Sequence, residues 1–183
     1  MTAPCIIALC GAIGSGKSTA TSLLRQHGYV VVRFASPFKA MLRAIGLDES
    51  QLNGSKKEEP SLLLSGRTPR YAMQTLGFEW GRELMDQDFW VNLWRINTLK
   101  LTQHNLRVVC DDLRFPNELQ AIRELGGRVW KVSRREAEDA ALLAPAHNSE
   151  QHWRHFQYDL LLDNNGSMAD LEANIVQALH VAE

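Results

Sequence analysis

The feature that most constrains this chain is the run at residues 11–19, which reads GAIGSGKST. It fits the pattern G-x-x-x-x-G-K-[ST], with Gly11, Gly16, Lys17 and Ser18 at the fixed positions. An apolar run precedes it and a helical pattern follows it, which is the context that a phosphate-binding loop requires. A glycine-rich turn without a ligand is the alternative. Because motif and context agree, we expect the chain to bind a nucleoside triphosphate.

The residue types in this loop suit phosphate chemistry. Gly14 and Gly16 have no Cβ, so the chain can turn sharply and bring backbone N–H groups against phosphate oxygens. Lys17 brings a compact positive charge to the β and γ phosphates, and the Ser18 hydroxyl is placed to bind Mg²⁺. The helix that begins here directs the positive end of its dipole at the anion.

Composition indicates one globular domain over residues 1–183. The chain is 45% hydrophobic and 22% charged, and its formal net charge of −1 offers no general attraction to nucleic acid or to an anionic membrane. No apolar run approaches the roughly 20 residues that span a bilayer. Cys5, Cys10 and Cys110 have no zinc or disulfide spacing and are expected to be buried in a reducing compartment. We therefore expect a cytoplasmic protein.

Apolar strand patterns alternate with helical patterns along the chain. Strands are predicted at residues 5–10, 29–34, 107–110, 128–133 and 158–162. Helices are predicted at residues 18–27, 37–45, 69–76 and 88–104, from Pro116 to the Gly126-Gly127 pair, and after a capping box formed by Ser167 and Asp170. This order predicts a three-layer α/β/α domain with a five-stranded parallel sheet and its ligand at the carboxyl ends of the strands.

Two stretches give weaker patterns. Residues 48–67 combine Asn53, Gly54, a charge run and Pro60, which predicts a mobile surface excursion. Thr68 and Pro69 predict the start of a helix, and Gly77 is expected to interrupt it.

Asp111 and Asp112 follow the third predicted strand, on the sheet edge that should carry the phosphate-binding loop. A carboxylate there can order Mg²⁺, and a helix N-cap is the alternative role; the sequence does not decide which aspartate binds the metal. Arginines are concentrated in the segments expected at the same edge, although each alone could be a solvated surface residue. They are Arg67, Arg70, Arg82, Arg114, Arg134 and Arg135. Guanidinium groups bind phosphate in bidentate fashion, which favours phosphoryl transfer.

Absent motifs narrow the reaction. No D-x-x-G follows the third strand and no N-K-x-D occurs, which disfavours a GTPase switch. A kinase for a sugar hydroxyl needs a carboxylate base near the end of the second strand, where this chain has Phe34, Ala35 and Ser36. A phosphate acceptor needs no base, because it is already dianionic at neutral pH. These features favour a kinase that acts on a phosphorylated small molecule.

Four motifs resemble those of the bacteriophage deoxynucleoside monophosphate kinases. They are FASPFK at residues 34–39, MQTLGFEWGR at 73–82, DLRFPNE at 112–118 and HNSE at 147–150, and they cover nearly the whole chain in the same order. The resemblance implies a P-loop NTPase fold of the nucleoside monophosphate kinase type, with a monophosphate-binding insertion at about residues 48–86 and a mobile lid at about 134–155. It also implies transfer of the ATP γ-phosphate to a dNMP, with Mg²⁺ as cofactor, and a homodimer.

The same resemblance implies roles for individual residues. Gly14, Ser15, Gly16, Lys17, Ser18 and Thr19 would hold ATP with Arg135, and Ser18 and Asp112 would bind Mg²⁺. Lys17, Asp112, Arg114 and Arg134 would be catalytic, and Arg134 with Arg135 would begin the lid. Lys39, Arg70, Gln74, Trp80, Arg82 and Arg114 would bind the monophosphate. Core packing is the alternative for Trp80.

Some questions stay open at this stage. Relatives often have Asp where this chain has Ser36, so the role of that position is undecided. His147, His152 and His155 have spacings that do not form one helical face, which disfavours a metal site and favours a place in the lid. A kinase of another small phosphate ester and a nucleotide-dependent switch protein with slow hydrolysis are the alternative functions. The sequence does not tell which dNMPs are accepted.

Overall fold

In the computed structural model, which describes residues 3–143 and 152–181, five strands pair into one parallel sheet. They are β1 (Ile6–Cys10), β2 (Tyr29–Val31), β3 (Arg107–Cys110), β4 (Arg128–Ser133) and β5 (Leu160–Asp163). Their order in the sheet is β2-β3-β1-β4-β5, and every neighbouring pair is parallel. The predicted α/β class with a five-stranded parallel sheet is confirmed.

Helices lie between and after these strands. The α-helices of the described residues are α1 (Lys17–Gln26), α2 (Ser36–Ala44), α3 (Glu49–Leu52), α4 (Pro69–Gln74), α5 (Phe89–Thr102), α6 (Pro116–Glu124), α7 (Arg135–Leu143) and α8 (Met168–Val181). Short 3₁₀ helices occupy Ser55–Glu58, Leu62–Leu64 and His152–His155, and a π-helix occupies Thr75–Met85. No helix in the described ranges has the length and apolar character that crossing a membrane needs.

The chain divides into two compact units. The sheet unit comprises the residues up to Arg33 and those from Arg95 onward, and it contains all five strands. The helical unit is Phe34–Trp94. Within the described residues it contains α2, α3, α4, the π-helix and the beginning of α5.

The sheet is organised around β1, whose five residues are all buried. It pairs with β3 on one side and β4 on the other, with Ala8 opposite Cys110 and Cys10 opposite Lys131. Continuous apolar strands are typical of a parallel sheet covered on both faces. The registers bring the carboxyl ends of β1, β3 and β4 to one edge, where the phosphate-binding loop and the acidic pair follow.

Two helix starts follow the sequence signals. The Thr68 hydroxyl accepts a hydrogen bond from the Tyr71 N–H at 3.1 Å, and Pro69 occupies the first turn of α4. At α8 the Asp170 carboxylate accepts from the Ser167 N–H at 2.7 Å, while the Asp170 N–H donates to the Ser167 hydroxyl at 3.3 Å. The predicted cap and capping box are both confirmed.

Three local predictions are wrong. Residues 48–67 are not simply a surface loop, because they contain short helices and because Leu52 is completely buried and packs with Leu42 and Leu47 in a small core. Helical structure does not stop at Gly77 but continues as the π-helix to Met85. Cys5 is exposed rather than buried, since it precedes the first strand; Cys10 and Cys110 are buried as expected, and all three are free thiols.

Candidate active site

The phosphate-binding loop connects β1 to α1 and has no room for larger residues at two glycines. A Cβ on Gly11 (φ 137°) would lie 2.3 Å from the carbonyl oxygen of Val132, and a Cβ on Gly16 (φ 99°) would lie 2.1 Å from Asn164 Nδ2. Both positive φ values are in a region that glycine adopts without cost. The backbone of the loop is therefore packed against the ends of β4 and β5.

Lys17 stands at the first position of α1 and folds back over the loop. Its Nζ donates to the carbonyl oxygens of Gly11 at 2.8 Å and Ala12 at 2.7 Å. The Ser15 side chain is completely buried, and its Oγ has no hydrogen-bond partner among the described residues. The first turn of α1 contains no acidic residue and its N-cap has no side-chain hydrogen bond. An anion bound here would meet N–H donors, the helix dipole and an ammonium group.

The two aspartates after β3 have different environments. Asp111 is buried, and Arg33 binds its carboxylate with two groups, of which Nη2 lies 2.7 Å from Oδ2. The Thr21 hydroxyl lies 3.1 Å from the same oxygen and 2.8 Å from the carbonyl oxygen of Lys17, so its single proton serves one of them at a time. The hydrogen bond from Arg33 to Asp111 is the main cause that raises the pKa of Arg33. Asp111, which follows β3, therefore links Thr21 of α1 to Arg33, which follows β2.

Asp112 is half-buried and, like Asp111, lines a cleft that also includes Gly11, Lys17, Arg114 and Trp153. Its Oδ1 lies 3.2 Å from the Cys110 thiol, which donates to it. Burial raises the pKa of that thiol well above its ordinary value, and the Asp112 charge adds to the effect. The structure therefore brings together Lys17, Asp112 and Arg114, three of the four residues predicted to be catalytic; the fourth, Arg134, is not among the residues that line this cleft.

A buried glutamate fixes the backbone at Arg114. Glu118 is 3% exposed, and its Oε2 accepts the N–H groups of Arg114 at 2.7 Å and Phe115 at 3.0 Å. Pro116 occupies the first turn of α6, where a missing N–H costs nothing. Sequence reasoning gave Glu118 no role, although a glutamate two residues after a helix-initiating proline is a recognisable capping signal.

Three further residues that sequence reasoning missed support the loop or the aspartates. Asn164 follows β5, and its Nδ2 donates to the Ser15 carbonyl oxygen at 2.8 Å. Thr21 and Arg33 are the partners of Asp111 described above. The signal for Asn164 was its position two residues after the predicted strand 158–162, at the ligand-bearing edge. No local pattern singles out the other two.

The predicted lid is described in part. The guanidinium of Arg134 donates to the Glu136 carboxylate at 3.0 Å, and the Arg135 N–H donates to Asn165 Oδ1 at 2.8 Å. Both arginines are exposed. His152 and His155 lie on the short 3₁₀ helix. Residues 144–151, with His147 and the HNSE motif, lie outside the described residues.

The predicted acceptor residues all belong to the helical unit, apart from Arg114. Two pair with neighbours: Lys39 Nζ donates to Asn53 Oδ1 at 2.5 Å, and Arg70 forms an ion pair with Glu58. Gln74 is exposed at the end of α4, and Arg82 Nη1 donates to the Gln87 carbonyl oxygen at 3.2 Å. The ring of Trp80 is half-buried and contacts Phe89 and Trp90, with centroids 5.5 and 5.9 Å apart. The packing alternative for Trp80 is thus present in the structure.

Oxygen ligands suited to Mg²⁺ are available next to the loop. Ser18 is exposed on the first turn of α1, and the Asp112 carboxylate opens into the cleft that contains Lys17. Hydroxyl and carboxylate oxygens are the hard donors that Mg²⁺ prefers when it retains waters and binds phosphate oxygens. A cluster of three or more histidine, cysteine or acidic side chains that could hold a metal does not occur within residues 3–143 and 152–181.

Comparison with known proteins decides the family. A family model described as deoxynucleotide monophosphate kinase matches residues 65–175. A protein of Acanthamoeba polyphaga mimivirus, provisionally named a deoxynucleotide monophosphate kinase, is 31% identical over 188 residues that cover 95% of each chain. The chain belongs to the deoxynucleotide monophosphate kinase family. The resemblance inferred from the sequence motifs is confirmed, with a relative from a giant virus rather than from a bacteriophage.

Solved structures support the fold of this kinase. The shikimate kinase of Aquifex aeolicus VF5 superposes with a TM-score of 0.56 at 13% identity, covering 97% of both chains. The shikimate kinase of Bacteroides thetaiotaomicron gives a TM-score of 0.51 at 11% identity, again over 97% of both chains. At such identities the likeness concerns the fold, which is that of P-loop kinases. Fold and family together make this kinase a phosphotransferase for a nucleoside monophosphate.

Proposed function

We propose that this kinase transfers the γ-phosphoryl group of ATP to the 5′-phosphate of a deoxynucleoside monophosphate, giving the diphosphate and ADP. The observation that carries the proposal is that Lys17, Asp112 and Arg114 line one shared cleft, beside Gly11 of the phosphate-binding loop. Lys17 can bind phosphate oxygens, Asp112 can hold a metal, and Arg114 can spread its charge over a transferring group. Phosphoryl transfer requires these three functions.

The loop binds the triphosphate and positions it. N–H groups at the start of α1, together with residues 14–19, bind the phosphate oxygens, and Lys17 exchanges the carbonyls of Gly11 and Ala12 for the β and γ phosphates. Arg114 donates to the equatorial oxygens of the transferring group, since its backbone is fixed by Glu118. Arg134 and Arg135 join the donor side from the start of α7, and the lid excludes water so that transfer to the acceptor prevails over hydrolysis.

Ser18 and Asp112 are the residues that would hold Mg²⁺. When bound, the ion neutralises charge between the phosphates and orients them. Both aspartates line the cleft. We assign Asp112 rather than Asp111 because Asp111 is buried and Arg33 donates to both of its carboxylate oxygens, whereas Asp112 is half-buried.

The acceptor needs binding rather than activation, because its phosphate is already a dianion at neutral pH. We assign acceptor binding to Lys39, Arg70, Gln74, Trp80 and Arg82 of the helical unit. Arginine forks fit a phosphate, an amide can donate to and accept from a base edge, and an indole can stack on the base. Lys39 and Arg70 would exchange Asn53 and Glu58 for the substrate phosphate.

A coupled ADP-release assay with a panel of the four dNMPs tests the proposal. We expect release to depend strongly on Mg²⁺ and on at least one dNMP. Hydrolysis that is equal with every acceptor would contradict the proposal and indicate a nucleotide-dependent switch. If no dNMP stimulated ADP release but another phosphate ester did, the acceptor would be a different compound. The same preparation, measured by light scattering with and without ATP, tests the homodimer that the family resemblance implies.

A further inference from the structure

The π-helix that carries Trp80 and Arg82 is packed through glycine against a buried tryptophan. π-Helices are rare, usually a single turn, and frequent at functional sites, whereas this one continues over 11 residues, Thr75–Met85. Its hydrogen bonds run from each N–H to the carbonyl five residues earlier, as the bond from the Asp86 N–H to the Gly81 oxygen (3.1 Å) shows at its end. Such pairing yields readily to α-helical pairing, so its persistence requires external contacts.

Trp90 supplies two of these contacts. Its indole Nε1–H donates to the Gly77 carbonyl oxygen at 2.7 Å. A Cβ on Gly81 would lie 2.1 Å from the same Nε1 and 2.4 Å from Cε2, so the helix backbone lies directly against the indole. Trp90 is 2% exposed. Because the two glycines are four residues apart, one ring holds successive turns of the helix.

The neighbouring rings extend this contact. Phe38 lies edge-on to Trp90 at 5.3 Å, and a Cβ on Gly77 would come within 3.3 Å of the Phe38 ring. Phe89 lies 4.8 Å from Trp90, and both contact Trp80. Trp80 and Arg82 flank Gly81 in the sequence, so a change of helical pairing at Gly81 would turn both side chains.

We infer that Trp90 is a positioning residue for acceptor recognition: by binding Gly77 and Gly81 it holds residues 75–85 in π-helical pairing and thereby sets the directions of Trp80 and Arg82. The inference rests on the proposed function, in which those two side chains stack on the base and bind the phosphate of a dNMP. Trp90 itself needs no contact with substrate. It acts through the helix: glycine at 81 is the condition for the close contact with the ring, and the backbone carbonyl of Gly77 accepts the indole hydrogen bond.

Trp90→Phe tests this role, because it keeps an aromatic ring but removes the indole N–H. We expect the KM for the best dNMP to rise about threefold to tenfold, the size of one lost buried hydrogen bond, while the KM for ATP changes less than about twofold. Hydrogen exchange followed by mass spectrometry should show faster exchange in the peptide covering residues 75–85, with the α1 peptide unchanged. Gly81→Ala, which disturbs the same contact from the helix side, should give the same pattern.

Trp94→Phe is the matched control. Trp94 is 1% exposed and stacks on Phe34 with ring centroids 4.8 Å apart, so this variant removes a similar buried volume from the same unit. Equal effects of Trp90→Phe and Trp94→Phe on the dNMP KM would overturn the inference, and so would unchanged exchange of residues 75–85 in Trp90→Phe.

The wild-type protein provides a test that needs no variant to fold. Addition of a saturating dNMP should slow hydrogen exchange of residues 75–85, whereas ATP alone should not. The inference would be overturned if a dNMP that the enzyme turns over left this exchange unchanged. If the wild type turns over no dNMP, the proposed function fails, while the comparison of exchange between Trp90→Phe and Trp94→Phe still decides whether Trp90 holds the helix.

Discussion

In the sheet unit the side chains of the proposed transfer site follow the ends of buried strands, whereas in the helical unit the proposed acceptor residues stand on helices held by small clusters. Asp112 follows β3, and Lys17 is separated from β1 only by the glycine loop. Trp80 and Arg82 instead depend on a π-helix that packs against Trp90. Strand ends in a parallel sheet are set by hydrogen bonds on both sides. The comparison teaches that the residues proposed for transfer are positioned by the sheet, whereas those proposed for acceptor recognition are positioned by side-chain packing.

Lys17→Ala, which changes a residue of the sheet unit, should produce the largest loss of turnover. We expect turnover to fall by at least about 10²-fold, which is the scale of one lost preorganised electrostatic contact. Steady-state kinetics of the purified variant measure this, with Lys100→Ala, an exposed lysine in the last turn of α5, as control. Near-normal turnover by Lys17→Ala would refute the role.

Variants of the two neighbouring aspartates should distinguish metal binding, proposed for Asp112, from structural support by Asp111. Asp112→Asn should lower turnover by about 10²-fold, the scale of charge stabilisation that a bound metal supplies, and raise the Mg²⁺ concentration needed for half-maximal rate. Asp111→Asn should instead lower the thermal midpoint, because it removes the charged partner of Arg33. Titration of Mg²⁺ and thermal melts of both variants give the answer. The opposite pattern would assign the metal to Asp111.

Arg82→Ala tests the helical unit by itself. We expect the KM for the dNMP to rise about 10-fold to 100-fold, as for a lost hydrogen bond to a charged group, with ATP affinity retained. Arg43→Ala, which removes an exposed arginine paired with Glu49 in the same unit, should leave both constants near wild type. A loss of ATP affinity alone in Arg82→Ala would place that residue on the donor side and break the division between the units.

A smaller effect concerns the stability of the sheet unit in acid. Burial works to raise the pKa of Asp159, but hydrogen bonds from the Val129 N–H at 2.7 Å and from Arg123 outweigh it, so the pKa is lowered. The stabilisation is therefore present above the unfolded-state value near ~4 and is lost as the pH falls through the lower folded-state value.

Asp159→Asn should lower the free energy of unfolding by about 1 kcal/mol or less at pH 6, and the difference from wild type should shrink below about pH 4. Urea unfolding at a series of pH values measures it. Asp139→Asn, at an exposed position of α7, is the control. A difference that stays constant down to pH 3 would show that the charge of Asp159 contributes nothing.

The sheet unit was easier to predict from the sequence than the helical unit. The bounds of β3 and β4 agree with the sequence prediction because they are buried apolar runs with polar ends. β2 is three residues shorter than predicted, although the Val32 N–H still donates to the Val109 carbonyl oxygen at 3.0 Å. It lies at the edge of the sheet, where strand pairing ends earlier than apolar character does.

The helical unit was harder to predict for physical reasons. Leu47 and Leu52 stand among polar residues and become core only through contact with Leu42, which no local pattern shows. Gly77 is a helix breaker by propensity, yet here the missing side chain is what allows close packing on Phe38. π-Helical pairing depends on these tertiary contacts, so a periodicity argument based on α-helices stops too early.

The candidate site was predictable where chemistry requires particular residue types. Lys17, Ser18 and Asp112 follow from a motif and a strand end, and the structure puts Lys17 and Asp112 in one cleft. The proposed choice of Asp112 over Asp111 could not be made from sequence, because it depends on Arg33, which follows β2, and on Thr21 of α1. Long-range partners of this kind leave no local signal.

The contacts of Lys17 also bear on which ligands the proposed phosphate-binding loop would favour. Its ammonium group donates to the carbonyl oxygens of Gly11 and Ala12. A polyphosphate offers that group charged oxygens, which form stronger hydrogen bonds than neutral carbonyls. An uncharged nucleoside offers no such gain. We therefore expect the proposed phosphate-binding loop to favour a charged phosphate ligand over an uncharged nucleoside.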